Sequence, residues 1–464
     1  MAGSGTAHLR DDGDVILSAE HLTVEFPVGN TGHVVHAVSD VSLDLRKGET
    51  LGLVGESGCG KSTTGRAILQ MPRPGAGSVD FDGIDLTTLE REQLRRTRRT
   101  LQMIFQDPIS ALNPRRKVRE IVAEPIDIWW QEEFPRSPVS RALEVYGPWL
   151  GRFLTRLWSV ARYTVPVFAL AILFWVVSEA VEERSAEDAL GWTENVAAVL
   201  GGLGAVVAVP LLAVALALGL VWLVLGIVSP IAAIPRWFRM RSKRSEFTAM
   251  ADEKVREVLH AVGIDVDNAL DRRPHEFSGG QAQRISIARA LVLEPEVIIC
   301  DEPVSALDVS VQAQVLNLLE DLKERYGLTL IFIAHDLAVV KNVSDRVAVM
   351  YLGKMCEVAP PDQLYVEPRH PYTSALLSSV PVPDPEVVPR MPEGIEGDLP
   401  SPIAPPSGCR FRTRCPRAQE RCASDEPVME EISSGHFVAC HFPLAPGEDT
   451  VATDDDFVGT AGRA

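Results

Sequence analysis

The feature that most constrains this chain is a glycine-rich stretch between an apolar segment and a helix-forming segment. Residues 55–62 read GESGCGKS, which fits the pattern G-x4-G-K-[ST], and the apolar run LGLV comes directly before them. Glycines let the backbone curl so that several N–H groups point at phosphate oxygens, and the following helix N-terminus adds positive potential. A chance glycine-rich turn would lack the flanking strand and helix. The pattern therefore predicts a phosphate-binding loop.

Within this loop, Lys61 would reach the terminal phosphates and Ser62 would bind Mg²⁺. The candidate nucleotide-binding residues are Gly55, Glu56, Ser57, Gly58, Cys59, Gly60, Lys61, Ser62 and Thr63.

Two carboxylates follow another apolar run. Residues 297–300 read VIIC and lead into Asp301 and Glu302. A buried parallel strand would place both at the carboxyl edge of a sheet, where ligands of open α/β sheets bind. Asp301 would hold Mg²⁺ and its waters, and Glu302 would orient or deprotonate an attacking water. Alone, the pair also fits an acidic strand end that faces solvent. Together with the phosphate loop, it favours catalysis.

Further motifs lie in a fixed order along the chain. They are Gln106 within FQDP, the segment FSGGQ at 277–281, the segment SALD at 305–308, and His335 within AHD. This order resembles the ATP-binding cassette family, in which FSGGQ corresponds to the signature that separates these proteins from other P-loop proteins. The resemblance covers about 17–126 and 253–381.

The resemblance implies that two such domains pair head to tail, with ATP between the phosphate loop of one and the signature of the other. Gln106 would sense Mg²⁺, water and the transport domain, and His335 would contact the γ-phosphate. Phe26 is a candidate for stacking on adenine, although a lone strand Phe also fits a core position. The implied catalytic residues are Glu302, His335 and Gln106. The implied Mg²⁺ ligands are Ser62, Gln106 and Asp301. Further nucleotide contacts are implied for Ser278, Gly279, Gly280, Gln281 and Asp308.

Three further sequence segments resemble one subfamily of these ATPases. Residues 110–115 (SALNPR), 305–314 (SALDVSVQAQ) and 370–373 (HPYT) are similar to ATPases of dipeptide and oligopeptide importers. The same subfamily also serves nickel and some sugars, so the solute stays open. The resemblance implies a second ATPase subunit, identical or paralogous, membrane permease subunits and, indirectly, an extracytoplasmic solute-binding protein. The ATPase domain would lie on the cytoplasmic side of the cell membrane.

The net charge of the chain helps to separate the alternative functions. Acidic residues outnumber basic ones 63 to 45, for a net charge of -18. This argues against a nucleic-acid partner, which needs a broad basic face. A cassette ATPase acting on DNA or ribosomes, an exporter half and a regulatory cassette without turnover are the weaker alternatives.

An insertion departs from the family. Relatives have a short helical connection where residues 128–250 stand here, and this insertion carries apolar blocks at about 163–180 and 196–234. The second block is too long for one ordinary span, with Pro210 as a break. Lys61 and Ser278 must lie on the same side of a membrane, so the chain between them must cross it an even number of times. The residues on both sides of the apolar blocks are basic, which agrees with this topology. We expect a two-pass hairpin in contact with membrane lipid; a buried or interfacial helical pair is the alternative.

The last motif is a cysteine set spaced C-x5-C-x6-C-x17-C, formed by Cys409, Cys415, Cys422 and Cys440. Four thiols can complete one metal centre, and structural zinc sites usually bring closely spaced pairs, which are missing here. An iron–sulfur cluster tolerates varied spacing. Resemblance to the C-terminal region of some dipeptide-importer ATPases also points to a [4Fe-4S] cluster, with zinc and unligated thiols as alternatives.

The sequence thus predicts an α/β P-loop ATPase with a helical subdomain, an inserted membrane hairpin and a small Cys-rich C-terminal region. The predicted segments are a flexible N-terminus (1–16), the first ATPase part (17–127), the insertion (128–250), the second ATPase part (251–380), a Pro-rich linker (381–407), the Cys-rich region (408–445) and an acidic tail (446–464).

Overall fold

A computed structural model describes residues 5–10, 13–29, 32–133, 247–379 and 397–448. The chain divides into two compact units, one made of Met1–Ile126 with Ala251–Ala464 and the other of Asp127–Met250. The predicted hairpin blocks at 163–180 and 196–234 lie outside the described residues. In the ranges that are described, no helix is long and apolar enough to cross a membrane.

The strands are β1 (Val15–Pro27), β2 (Val34–Arg46), β3 (Thr50–Val54), β4 (Ala76–Phe81), β5 (Ile84–Asp85), β6 (Leu101–Ile104), β7 (Val297–Asp301), β8 (Thr329–Ile333), β9 (Arg346–Tyr351), β10 (Lys354–Ala359), β11 (Glu430–Ser433) and β12 (His436–Val438). The helices are α1 (Lys61–Ile68), α2 (Arg91–Thr97), α3 (Pro108–Ala111), α4 (Val118–Glu133), α5 (247–261), α6 (Val266–Ala269), α7 (Gly279–Leu291), α8 (Val309–Tyr326), α9 (Leu337–Val343), α10 (Pro361–Val366), α11 (Pro371–Ser378) and α12 (Glu420–Ser424).

The strands form two sheets. The smaller sheet is antiparallel with the order β2-β1-β4-β5, and the larger has the order β11-β12-β10-β9-β3-β8-β7-β6. In the larger sheet, β6, β7, β8, β3 and β9 run parallel, and every residue of β3, β7 and β8 is buried. Continuous apolar runs suit such strands, because both faces of a parallel sheet are covered. The predicted α/β fold is therefore confirmed.

The helical part packs against one side of the larger sheet. Apolar side chains of α4, α5 and α7 join the same buried cluster as residues of β7 and β8; examples are Ile121, Val258 and Ile285. Arg289 of α7 also donates to the carbonyl of Ala111 at 2.9 Å, which ties α7 to the end of α3. The helices that carry the predicted motifs are thus anchored to the sheet.

The C-terminal segment does not form a separate domain. Its strand β12 pairs with β10, so β11 and β12 extend the antiparallel side of the larger sheet, and the segment belongs to the first compact unit. The sequence predicted a small Cys-rich region at 408–445 but not its pairing with the main sheet. Strands of three and four residues are too short to produce a readable alternation of apolar and polar residues.

A buried carboxylate fastens this extension. Glu357 in β10 has no exposed surface and accepts hydrogen bonds from the backbone N–H groups of Arg369 and His370 at 2.8 and 3.0 Å. The Nε2 atom of His436 in β12 lies 2.6 Å from the same carboxylate. One side chain therefore joins β10, β12 and the start of α11.

We predict that Glu357→Ala lowers the free energy of unfolding by about 3 kcal/mol, because the N–H groups of Arg369 and His370 and the ring of His436 lose their partner carboxylate. Chemical denaturation of the purified chain measures this loss. Glu430→Ala, which removes an exposed carboxylate from the neighbouring strand β11, is the matched control and should change stability by less than about 0.5 kcal/mol. Equal stability of the two variants would contradict the role of Glu357.

Candidate ATP-hydrolysis site

The loop between β3 and α1 closes tightly on the surrounding backbone. Gly55, Gly58 and Gly60 have φ values of 147°, 79° and 106°, which favour glycine. A Cβ atom on Gly55 would lie 2.1 Å from the carbonyl oxygen of Met350, and one on Gly60 would lie 2.3 Å from that of Ala37. The backbone conformation therefore favours glycine at all three positions, and the lack of space requires it at Gly55 and Gly60.

Lys61 folds back over this loop. Its side chain is nearly buried, and Nζ donates to the carbonyl oxygens of Gly55 and Glu56 at 2.7 and 3.0 Å. The N–H of Cys59 donates to the Glu56 carbonyl, and the N–H of Glu56 donates to the Tyr372 hydroxyl at 2.8 Å. The ammonium group thus lies inside the curve of the loop, where phosphate oxygens can replace the carbonyl oxygens as its acceptors.

The hydroxyl of Ser62 faces the carboxylate of Asp301. Ser62 Oγ donates to Asp301 Oδ1 at 2.6 Å, and the guanidinium of Arg66 lies 3.2 Å from Oδ2. Asp301 has no exposed surface. A buried carboxylate and a hydroxyl side by side are hard oxygen donors, so these residues fit a Mg²⁺ ion that keeps several of its waters.

Glu302 brings the ends of three strands together. Its Oε2 accepts from Gln106 Nε2 at 2.7 Å and lies 3.5 Å from Nδ1 of His335. Gln106 follows β6, Glu302 follows β7 and His335 follows β8. Glu302 has a φ of 46°, and its N–H donates to the Ile333 carbonyl at 3.0 Å. A left-handed glutamate is strained, and here the backbone bond to β8 holds it.

Phe26 lies near the end of β1. The residue is 39% exposed, so it does not belong to the core. It pairs with Val35 of β2, two residues before Ala37, whose carbonyl lies against Gly60 of the phosphate loop. The strand end that carries Phe26 is thus beside the loop.

The signature and the segment 305–308 lie at helix starts. Ser278 caps α7, its Oγ accepting from the Gln281 N–H at 3.3 Å, and a Cβ on Gly280 would lie 2.4 Å from Val311. Asp308 caps α8 by accepting from the Val311 N–H, and that bond lowers its pKa. No hydrogen bond between described residues joins Ser278 to the phosphate loop of the same chain. Hydrogen bonds and close contacts therefore join Ser62 of the loop to Asp301, and Glu302 to Gln106 and His335. Ser278 of the signature has no such bond to the loop among the described residues.

The C-terminal cysteines line one pocket. Its walls are formed by Cys409, Cys415, Cys422 and Cys440 together with Phe411 and other residues. Desolvation, followed by neighbouring thiols among other groups, raises the pKa of Cys409 to about 11 and that of Cys440 to about 12. In the part of the chain that is described, no group of three His, Cys, Asp or Glu residues is placed to hold a metal ion.

Sequence reasoning missed three residues near these sites. Tyr372 and Arg414 both contact Glu56 of the phosphate loop. Cys356 of β10 is buried, and its pKa is raised by burial and then by the nearby Cys409. The HPYT motif contained Tyr372, but only as a subfamily resemblance, and Arg414 stood beside Cys415 without a pattern of its own.

Comparisons with known proteins agree with this geometry. The model of the ABC transporter family matches residues 38–305, and that of the oligopeptide/dipeptide transporter C-terminal region matches residues 356–422. The oligopeptide transport ATP-binding protein OppF of Haemophilus influenzae is 39% identical over 435 residues, which cover 92% of this chain and 97% of that protein. OppF of Salmonella typhimurium is 40% identical over 405 residues, 87% of each chain.

Among solved structures, a dimeric ATP-binding cassette with bound ADP and phosphate is 19% identical, with a TM-score of 0.45, and covers 74% of this chain and 98% of that chain. The match to the ABC transporter family model covers more than half of this chain. This chain belongs to the ABC transporter family of ATPases and carries the C-terminal region typical of oligopeptide and dipeptide transporters.

Proposed function

We propose that this chain hydrolyses ATP to energise the import of oligopeptides or dipeptides. One observation carries the catalytic part: Ser62 meets Asp301, and Gln106 and His335 meet Glu302, at one edge of the sheet. The match at 356–422 and the relatives named oligopeptide transport ATP-binding proteins support the substrate class.

In the proposed mechanism, the phosphates of ATP lie on N–H groups of residues 57–62 other than that of Cys59, which donates to the Glu56 carbonyl. Lys61 turns its Nζ from the loop carbonyls to the terminal phosphates. A Mg²⁺ ion held by Ser62 and Asp301 would neutralise phosphate charge. Glu302 orients the attacking water and accepts its proton. Gln106, which donates to Glu302, holds that carboxylate in place, and His335 contacts the γ-phosphate.

We further propose that Ser278, Gly279 and Gly280 act on the ATP of a second cassette. Ser278 caps the start of α7, and the small residues let backbone N–H groups at the helix start approach a γ-phosphate. Asp308 would lie at the same interface, and Phe26 would stack on adenine. Closing and opening of the two cassettes would drive permease subunits fed by an extracytoplasmic solute-binding protein. The chain would then lie on the cytoplasmic side of the membrane.

For the C-terminal cysteines we propose a [4Fe-4S] cluster held by Cys409, Cys415, Cys422 and Cys440. Support comes from the convergence of the four thiols on one pocket, together with spacing that lacks the close pairs of structural zinc sites. The cluster would link the chain segments that carry these thiols.

For the insertion we propose a two-pass membrane hairpin formed by 163–180 and 196–234. The support is in the sequence, namely the long apolar blocks, the basic residues on both flanks and the requirement for an even number of crossings.

Glu302→Gln should lower kcat about 10²–10⁴-fold while leaving the ATP dissociation constant within about twofold, because the amide keeps the shape but cannot accept the proton. Steady-state hydrolysis and ATP binding of the purified transporter complex measure both. Glu296→Gln, at the other end of β7 and partly exposed, is the matched control and should hydrolyse ATP normally. Rapid turnover by Glu302→Gln would refute the catalytic role.

Anaerobically purified chain should contain about four iron and four acid-labile sulfide per molecule and absorb visible light. Replacing Cys415 with Ser should abolish both, whereas Cys300→Ala, which changes a buried thiol in β7, should leave them intact. One zinc without iron would refute the cluster, and an absence of any metal would refute the site.

The chain expressed without its permease should remain with membranes after alkaline carbonate extraction, because a spanning hairpin is not released by high pH. A chain that lacks residues 135–246 and still binds ATP is the control and should be released. Full release of the intact chain would leave the alternative of a buried helical pair.

A further inference from the structure

The phosphate loop is held by two residues that belong to none of the nucleotide motifs. The Tyr372 hydroxyl accepts from the Glu56 N–H at 2.8 Å, and Nη1 of Arg414 lies 2.8 Å from the Glu56 carboxylate. Tyr372 is fully buried, and the side chain of Arg414 is only 10% exposed. Both the backbone and the side chain of Glu56, the second residue of the loop, are therefore fixed from the C-terminal third of the chain.

These two residues are themselves rigidly placed. Tyr372 lies in the first turn of α11, where its N–H donates to Nδ1 of the capping residue His370 at 3.0 Å. The rings of Tyr351, Tyr372 and Phe411 pack together with centroid distances of 4.7, 5.2 and 5.4 Å. Arg414 also contacts the Tyr351 hydroxyl at 3.4 Å. An aromatic cluster thus supports the contacts to Glu56.

The negative charge of Glu56 means that its contact with Arg414 affects ATP binding. A carboxylate in a loop that binds a polyanionic triphosphate repels the ligand, and the repulsion is strong where solvent is partly excluded. The Glu56 side chain is 24% exposed and pairs with a guanidinium that water reaches little. Arg414 therefore cancels an unfavourable charge next to the phosphates.

The N–H of Glu56 points away from the phosphate cradle, because it donates to Tyr372. This bond fixes the direction in which the loop leaves β3. Only the N–H groups later in the loop are then left to face the phosphates.

We propose that Tyr372 and Arg414 are positioning residues of the ATP site, which act through Glu56 and without touching ATP: Arg414 neutralises the Glu56 carboxylate, and Tyr372 holds the loop backbone. The inference depends on the proposed assignment of residues 55–62 as the phosphate-binding loop. It assigns a function to the HPYT motif and couples the cysteine-bearing segment to nucleotide affinity.

The first experiment compares ATP dissociation constants of Arg414→Gln and Arg421→Gln in the purified complex. Arg414→Gln should weaken ATP binding about tenfold, the size of a lost charge-assisted hydrogen bond, with kcat at saturating ATP within about twofold. Arg421, which pairs with Asp425 on the surface of α12, is the matched control and should have no effect. Arg414→Lys should retain most of the affinity, because it keeps the charge.

A double variant separates charge from damage to the fold. Glu56→Gln combined with Arg414→Gln should bind ATP within about threefold of wild type, because the uncompensated carboxylate is gone. If the double variant binds as weakly as Arg414→Gln alone, the charge argument is overturned.

The second experiment uses Tyr372→Phe, which removes only the hydroxyl. We expect the ATP dissociation constant to rise about threefold to fivefold, as for one neutral hydrogen bond. Tyr365→Phe removes another buried hydroxyl, which donates to the Leu337 carbonyl away from the loop, and should leave ATP affinity unchanged.

Lys61→Ala separates a failure of the proposed nucleotide site from a failure of the positioning role of Tyr372 and Arg414. It should weaken ATP binding by removing a phosphate-facing charge. Unchanged affinity in Lys61→Ala would refute the nucleotide site itself. Weakened binding by Lys61→Ala together with normal binding by Arg414→Gln and Tyr372→Phe would refute the positioning role alone.

Discussion

The parallel pairing of β3, β8, β7 and β6 is the constraint on which the rest of this structure depends. Paired parallel strands end at one edge, so the phosphate loop after β3, His335 after β8, Asp301 at the end of β7 and Gln106 after β6 come together there. Residues far apart in sequence thereby meet across short distances; Gln106 and Glu302, for example, are 196 positions apart. A shift in register between neighbouring strands would separate Ser62 from Asp301 and Gln106 from Glu302.

The same sheet joins the cysteine-bearing segment to the ATP site. Strand β12 pairs with β10, and Phe411 of the same segment packs against Tyr351 and Tyr372. This aromatic cluster lies next to the phosphate loop. The buried Glu357 fixes this return through His436 and the start of α11. The pocket with Cys409 and Cys415 and the loop at 55–62 are consequently neighbours within one compact unit.

Most of the candidate ATP site could be predicted from the sequence, since each motif has its own local pattern. The phosphate loop shows glycines between a strand and a helix, and Asp301 with Glu302 closes an apolar run. The capping roles of Ser278 and Asp308 are also local, because a cap joins residues three positions apart. The apolar blocks at 163–180 and 196–234 lie outside the described residues, so the membrane hairpin remains a prediction.

By itself, the sequence identified the candidate residues of the ATP site, because strand, loop and helix signals extend over only a few neighbouring positions. The tertiary structure alone decided that the C-terminal segment extends the main sheet and that Tyr372 and Arg414 reach Glu56. Those contacts join positions 316 and 358 residues apart. No local pattern records such a pairing, since it depends on how strands separated by most of the chain are ordered in one sheet.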